Sequence, residues 1–569
     1  MERKLYICLA AVMALLIMLV FVTKGAADRA YEEEQQAAQA AEEKKRHALL
    51  ASASNEADAL IRLGDDMIVR AQGDYMYTLE DEETVDKYRA KDTVFTYRVE
   101  AADVYIGALT ITVRHVDRGD QLVFAQFLAA TKSNVTIPLQ LVTTSDGFEE
   151  LRFDDIDFIR EHDTTFGVNK LTNLAGVFRF DDQPYEVVAS QNFISHELVK
   201  QYEGGDTSTV RELVAEVRAV KIEQQNEEAV VHMPLKGKHG EISENWFVLG
   251  VEKLFTDDET AMYYRGHTEL YHIRSHFWLN ASGAYTKLPW SIEPSTRDGY
   301  GRNLLHQRSK VSLEELQKED SRFHYAMLIN SVNYLLDRKI EGQLWETEYT
   351  STWLQRDYGI RAPYTDTRHN ENIALFLTEV GDYLHDPMLQ NMYFEYADYL
   401  SNQVNIDNVL ATENGYFILD YYGKTLTKKT HVSLNHALGE MNFLLRAYAR
   451  QPNQQYMNTA IAIKQAIEDT ATQWIRDDNS DFWYQINGDY TFSGADYENL
   501  TLEDLLNTLT IYKQLGLKYD PVLYATMIGH KVGYLQQAEI PMSKSLLQAL
   551  DKQGYSFLLT QDDALPLAQ

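Results

Sequence analysis

The chain of 569 residues holds one cysteine, Cys8. It lies in an N-terminal hydrophobic run, so no disulfide framework and no cysteine-based zinc site can exist beyond that run. Basic residues are also scarce: 53 Lys and Arg stand against 85 Asp and Glu, a formal net charge of −32. A field of that sign repels nucleic acid and anionic lipid, which argues against nucleic acid as a partner. No metal motif emerges. Asp477, Asp478, Asn479 and Asp481 resemble a fragment of a calcium loop but lack the glycine and distal glutamate that complete one. His267, His272 and His276 do not share strand parity, so they make no zinc site. No cofactor is expected.

What is present is ordinary for a large globular protein, with 45% apolar and 24% charged residues. The length allows two or three domains. Residues 5–22 form an uncharged, mostly apolar run, preceded by Arg3 and Lys4 and followed by Lys24. That length just reaches the bilayer minimum, and the positive flank sets the N-terminus inside. An uncleaved anchor (1–25) is favoured over a secretion signal, because no clean Ala-x-Ala site follows. The bulk of the chain is then expected outside the cell membrane. Residues 26–60, rich in Ala, Glu, Gln and Lys, read as a solvated helical stalk.

From about residue 93 the periodicity is two. Leu109, Ile111 and Val113 alternate with Thr110, Thr112 and Arg114, the pattern of a half-buried antiparallel strand. Segments 121–129, 135–142 and 176–180 continue the series, and 245–256 and 268–280 close it. A β-rich domain over 61–290, a sandwich or open barrel, is expected. Residues 288–302 concentrate Pro, Gly, Ser and Asp and look like a boundary.

Beyond it the period becomes helical. Three segments share one layout: an amphipathic helix, a break, a proline, and a second amphipathic helix. Their prolines are Pro387, Pro452 and Pro521. Proline at the first turn of a helix loses no hydrogen bond, so each should open the second helix of a pair. Strand-like hairpins rich in aromatics lie between the pairs. Recurring helix pairs must stack or close to bury their faces, and an α/α toroid over 305–560 is expected. The fold class is therefore α+β and multidomain. Aromatic rings with carboxylates at a shared mouth suit a sugar ligand.

The stretch SLNHALGEMNFLLRAYA at 433–449, preceded by a Tyr-Tyr loop, resembles the C-terminal domain of D-glucuronyl C5-epimerases. The resemblance spans residues 361–516. It implies inversion at C5 of uronate units in a cell-surface polysaccharide, by abstraction and return of a proton. It also implies tyrosines in the catalytic roles, at Tyr421 or Tyr422 and at Tyr497, with Tyr484 and Trp483 touching substrate. The family's arginine on the later hairpin corresponds to Asn487. Its two histidines after the helix-opening tyrosine correspond to Glu498 and Thr501. Residues 477–512 carry no Lys or Arg, so Arg368 and His369, beside Glu371, become the expected substrate-binding cations. A glycoside hydrolase or lyase would instead use carboxyl pairs among Asp366, Glu371, Asp496 and Glu498. A non-catalytic glycan-binding scaffold is a third reading. Oligomeric state is not legible.

Overall fold

The structure, a computed structural model, describes residues 59–559 except 65, 155–161, 182, 271–275 and 341–343. The anchor and nearly all of the stalk expected at 1–60 lie outside the described residues. Among those described, no helix is long and apolar enough to cross a membrane.

Two antiparallel sheets build the β-rich part. The larger follows the order Trp278–Asn280, Gly283–Lys287, Gly299–Gly301, Thr207–Val217, Asn192–Gln201, Ile242–Gly250, Gln121–Ala129, Val104–Val116, Ala90–Ala101 and Tyr75–Lys87. The smaller runs Ala59–Arg62, Met67–Ala71, Leu139–Thr144, Glu228–His232 and Lys221–Gln225. Leu109, Ile111, Val113 and Phe247 of one sheet and Val69, Leu141 and Val231 of the other share one apolar core, so the domain is a sandwich.

Two local expectations need correction. Thr112 and Arg114, placed on a solvent face by alternation, are buried. A helix covers that face, because the large sheet is packed on both sides. Residues 258–270, read partly as strand, form helix α1 (Asp258–Leu270), whose start is fixed by the Asp257 side chain accepting from Thr260 N at 2.8 Å.

The helical part begins with α2 (Lys310–Leu316) and α3 (Arg322–Arg338), then α4 (Thr352–Tyr358). Three hairpins of helices follow: α5 (Thr367–Leu384) with α6 (Pro387–Asn402), α7 (Leu434–Arg450) with α8 (Gln454–Thr470), and α9 (Leu500–Leu515) with α10 (Pro521–Gln537). A last helix, α11 (Lys544–Gln553), packs on α9. The first helix of each pair packs on the first helix of the next, and α6 packs on α8, giving the inner and outer layers of an α/α toroid. Pro387 and Pro521 stand at the first position of the outer helices, as the repeat implied. Pro452 does not: α8 begins at Gln454, and Asn453 caps it by accepting from Gln455 N at 3.0 Å.

The three pairs form an arc of such a toroid, and the sandwich covers the start of the row. Helix α3 lies against the large sheet, where Phe323, Ala326 and Tyr334 join Phe124, Trp246 and Trp278 in one core. At that interface Arg114 donates to both oxygens of Asp92, at 2.8 and 2.7 Å, and to Asn330 Oδ1 at 2.5 Å. The tip of the Tyr75–Ala101 hairpin also docks: Tyr88 Oη donates to Asp386 Oδ2 at 2.7 Å, beside the start of α6.

Candidate functional site

The N-terminal ends of α5, α7 and α9 converge, and short strands stitch the preceding loops together. Thr365–Asp366 pairs with Tyr421–Tyr422. Val432–Ser433 pairs with Trp483–Ile486, which pairs with Phe492–Ala495. The loops before all three inner helices therefore meet at one mouth.

Alternation along these strands sorts the expected residues. Neighbouring side chains on a strand point to opposite faces. Tyr421 is buried and faces the His431 and His436 rings at 5.7 and 6.2 Å, whereas Tyr422 is 39% exposed. Tyr484 turns toward His431 at 5.8 Å and toward Tyr497, also at 5.8 Å and nearly perpendicular. Trp483, one residue earlier, packs instead under the Arg476 guanidinium at 4.8 Å. Tyr497 precedes α9 by a short bend rather than opening it, and it is 52% exposed. The aromatic line thus runs from buried Tyr421 through His431 and Tyr484 to open Tyr497.

Asp420 organises the buried end. Ser433 N donates to its two oxygens at 2.9 and 3.1 Å, and Ser433 Oγ donates as well. The side chain of Ser433 is thus unavailable to cap α7, whose first residue is Leu434. His431 Nε2 lies 3.3 Å and His436 Nδ1 3.6 Å from the same carboxylate. Burial opposes ionisation of Asp420, but His436, His431 and the Ser433 donor outweigh it and hold the carboxyl below its ordinary range. His431 Nδ1 is 2.8 Å from Tyr358 Oη, and His436 Nδ1 is 2.8 Å from Thr367 Oγ1. One turn further along α7, Glu440 is buried with neither carboxyl oxygen hydrogen-bonded. Burial first, then the Asp420 charge, push it well above the usual carboxylate range.

The expected cations sit elsewhere. Arg368 crosses from α5 to α9, donating to Glu371 Oε2 at 2.8 Å and to Asp504 at 2.9 and 3.2 Å. It packs over Gly439, where an added Cβ would overlap its guanidinium. Arg368 and Glu371 therefore form an interhelical clamp rather than a charged pair offered to a ligand. Burial pushes Asp504 up to about 7 despite Arg368 beside it. His369 leans on Asp366 at 3.7 Å, and burial lowers its basicity. Asn487 pins its own hairpin, donating to Thr491 and Ser493 at 3.0 and 3.1 Å and accepting from Gln485 at 2.6 Å.

A second buried base reaches the 477–512 segment from α10, in addition to the Arg368 contact to Asp504. Lys531 on α10 is fully buried and bonds Asp481 at 2.6 Å and Asp496 at 2.8 Å, while Asp496 also accepts from Thr501 at 2.7 Å. This triad fixes the residue before Tyr497. Among the described residues no group of three or more His, Cys, Asp or Glu could hold a metal ion.

Tyr421, Tyr484 and Tyr497 are all shifted upward, by burial first and then by neighbouring acids or phenols, with Asp420 acting on each. Their hydroxyls stay protonated at neutral pH and can donate. The imidazoles of His431 and His436 lie beside them, each with its Nδ1 on a hydroxyl. Sequence reasoning missed Asp420, His431, His436, Glu440 and Lys531. Two histidines bracketing a helix start, just after an Asp-Tyr-Tyr, were the available signal.

No family model matches the chain, and no curated protein matches it. Solved structures similar to it include D-mannose isomerase, at 14% identity and TM-score 0.35, covering 48% of this chain and 69% of that one. A glycoside hydrolase family 76 α-mannanase of Bacteroides thetaiotaomicron aligns at 12% identity and TM-score 0.36, over 52% and 81% of the two chains. Cellobiose 2-epimerase from Spirochaeta thermophila aligns at 10% identity and TM-score 0.33, over 50% and 68%. Likeness at this level bears on neither substrate nor mechanism.

Proposed function

We propose that this chain is a carbohydrate-active enzyme that removes and returns a proton at a sugar carbon. Inversion at C5 of a uronate in a cell-surface polysaccharide is the specific reaction the sequence resemblance implies. The observation that carries the reading is Asp420 held between His431 and His436, beneath a line of tyrosine hydroxyls that ends at exposed Tyr497. Proton transfer needs an acceptor and a donor on opposite sides of one carbon, near a working pKa. Here an imidazole is the acceptor and Tyr484 or Tyr497 the donor, in place of the tyrosines that the resemblance implies for both catalytic roles. The hydrophobic run at 5–22 would present this mouth outside the cell membrane.

Two features favour this reading over a glycosidase. A glycosidase needs two carboxyls free to reach one bond. Asp366 caps α5 by accepting from His369 N at 2.9 Å, Glu371 holds Arg368, and Asp496 holds Lys531. The remaining candidate, Glu498, is exposed and bonded to none of the groups that organise the mouth.

The test is deuterium incorporation in D₂O, read by mass spectrometry and NMR. The expected result is C–H exchange in a glucuronate-containing polymer, or at C2 of a neutral sugar. Tyr497→Phe and His436→Gln should each lower the rate on the order of 100-fold while the fold is kept. New reducing ends without deuterium would make the protein a glycosidase. Binding without either chemistry would make it a scaffold.

A further inference from the structure

A cavity of about 310 Å³ opens at the end of the helix pairs opposite the mouth, between α5, α6 and the last turns of α7. Thr378, Glu379, Arg446 and Arg450 line it together with Leu375 and Ala449. His436 at the mouth and Arg446 stand ten residues apart on α7, which is about 15 Å along its axis. The cavity therefore shares no residue with the proton-transfer site. Its volume is at the lower end of the range for ligand pockets, with room for one sugar ring.

Arg446 and Arg450, one turn apart, project to the same side of α7. The Arg446 guanidinium donates to an amide, Asn507 Oδ1 of α9 at 2.7 Å, and forms no ion pair among the described residues. Arg450 lies over the Tyr393 ring at 4.9 Å, and that ring is itself stacked on Phe443 at 4.0 Å, so the guanidinium is held in place. Its contact to Asp382 at 3.2 Å is about half exposed on both sides. Such an exposed pair is weak and yields to a better-placed anion. Elsewhere Arg114, Arg211 and Arg368 each meet carboxylates, in a chain where 85 acids face 53 bases. The helix dipole accounts for one cation in the last turn of α7. It does not account for a second, one turn inward, that lines a cavity with no carboxylate in ion-pair reach.

We infer that this cavity binds one anionic sugar unit, a carboxylate on a hydroxylated ring, as a second glycan site away from the mouth. The choice of a sugar acid rests on the carbohydrate reading above; the pair of cations does not. Guanidinium forks match a carboxylate bidentately. Glu379 is exposed and makes no hydrogen bond among the described residues, so it can accept from ring hydroxyls, and it repels a phosphate dianion. The Thr378 hydroxyl donates to Ala374 O at 2.7 Å, and its oxygen still accepts. Leu375 and Ala449 offer apolar contact to the C–H face of a ring. A polymer held here stays near the mouth at a raised local concentration.

Equilibrium binding to the full-length protein, measured with D-glucuronate, D-glucose and inorganic phosphate, tests the assignment. The expected result is saturable glucuronate binding, with glucose and phosphate bound more weakly. Arg446→Gln combined with Arg450→Gln should weaken glucuronate about 10-fold or more, since a hydrogen bond to a charged group is worth about that factor. Ala449→Trp keeps both arginines and fills the cavity with an indole, and it should weaken glucuronate as much. Tyr497→Phe at the mouth should leave this site unchanged. Native affinity in either cavity variant overturns the inference, as does an absence of glucuronate binding, or glucose or phosphate bound as tightly. If the site binds glucuronate while no sugar exchanges in D₂O, the proton-transfer reading falls and the second glycan site stands.

Discussion

The sandwich and the part of the mouth around Asp420 and Glu440 bury charge in opposite ways. In the sandwich, Arg114 forks onto Asp92, Arg211 bonds Glu244 at 2.9 Å, and Arg179 bonds Glu186 at 2.6 Å. Each is a cation matched to an anion, with further donors completing it: Trp278 Nε1 and Asn280 Nδ2 both reach Glu244. At the mouth, Asp420 is held largely by imidazoles and a hydroxyl, and Glu440 by nothing. Full pairing rigidifies and fixes register. Incomplete pairing keeps protons movable, which a structural core has no use for. The contrast separates residues that hold this fold from residues to which the proposed chemistry is assigned.

The largest effect should come from breaking a matched pair. Arg114→Ala leaves Asp92 buried without its partner and empties a contact to Asn330 at the interface with α3. A loss of about 3–5 kcal/mol is expected, measured by urea unfolding. Lys531→Ala should rank beside it, because two carboxylates lose one ammonium. That variant also sharpens the comparison: any surviving folded protein should lose exchange activity, since Asp496 anchors the residue before Tyr497. A Lys531→Ala protein of native stability would show that this triad does not hold the fold. Gly439→Ala comes next. The new methyl meets Arg368 across α5 and α7, and an overpacking cost of about 1–3 kcal/mol is expected in thermal or chemical unfolding.

Much of the architecture was legible because it is periodic. Alternation located the strands at 105–116, 121–129 and 176–180, the first starting at 104 in the structure, and proline at the first turn located α6 and α10. Pairing order was not legible, since it depends on contacts far apart in sequence. Nor was the burial of Thr112 and Arg114, which the α3 helix imposes from some 200 residues away. The tyrosines stood out as residues of unusual type. Choosing Tyr421 over Tyr422 required strand parity within a two-residue strand, which only the pairing with Thr365–Asp366 defines. Lys531 was invisible because its partners lie 35 and 50 residues earlier. Arg368 misled for the same reason: a cation near a helix start looks available until Asp504 is found 136 residues away.

The smallest effect is the most diagnostic. Glu440 has a folded-state pKa raised above its unfolded value, by burial and then by Asp420. The folded chain therefore holds a proton that the unfolded chain releases above about pH 4.3. Its contribution is fully present below that pH and is lost as pH rises toward the folded value. Asp420 has the opposite sign: its lowered folded pKa adds stability above about pH 3.9, lost as pH falls. Glu440→Gln should therefore match the native protein in acid and become progressively more stable than it toward neutral and alkaline pH. Asp420→Asn should be less stable than native at neutral pH, with the gap closing in acid. Unfolding free energies for the three proteins, measured across the pH range, give two difference curves of opposite slope. A flat curve for Glu440→Gln would mean that the glutamate is ionised or solvated in the folded chain, and the mouth would then bury charge as the sandwich does.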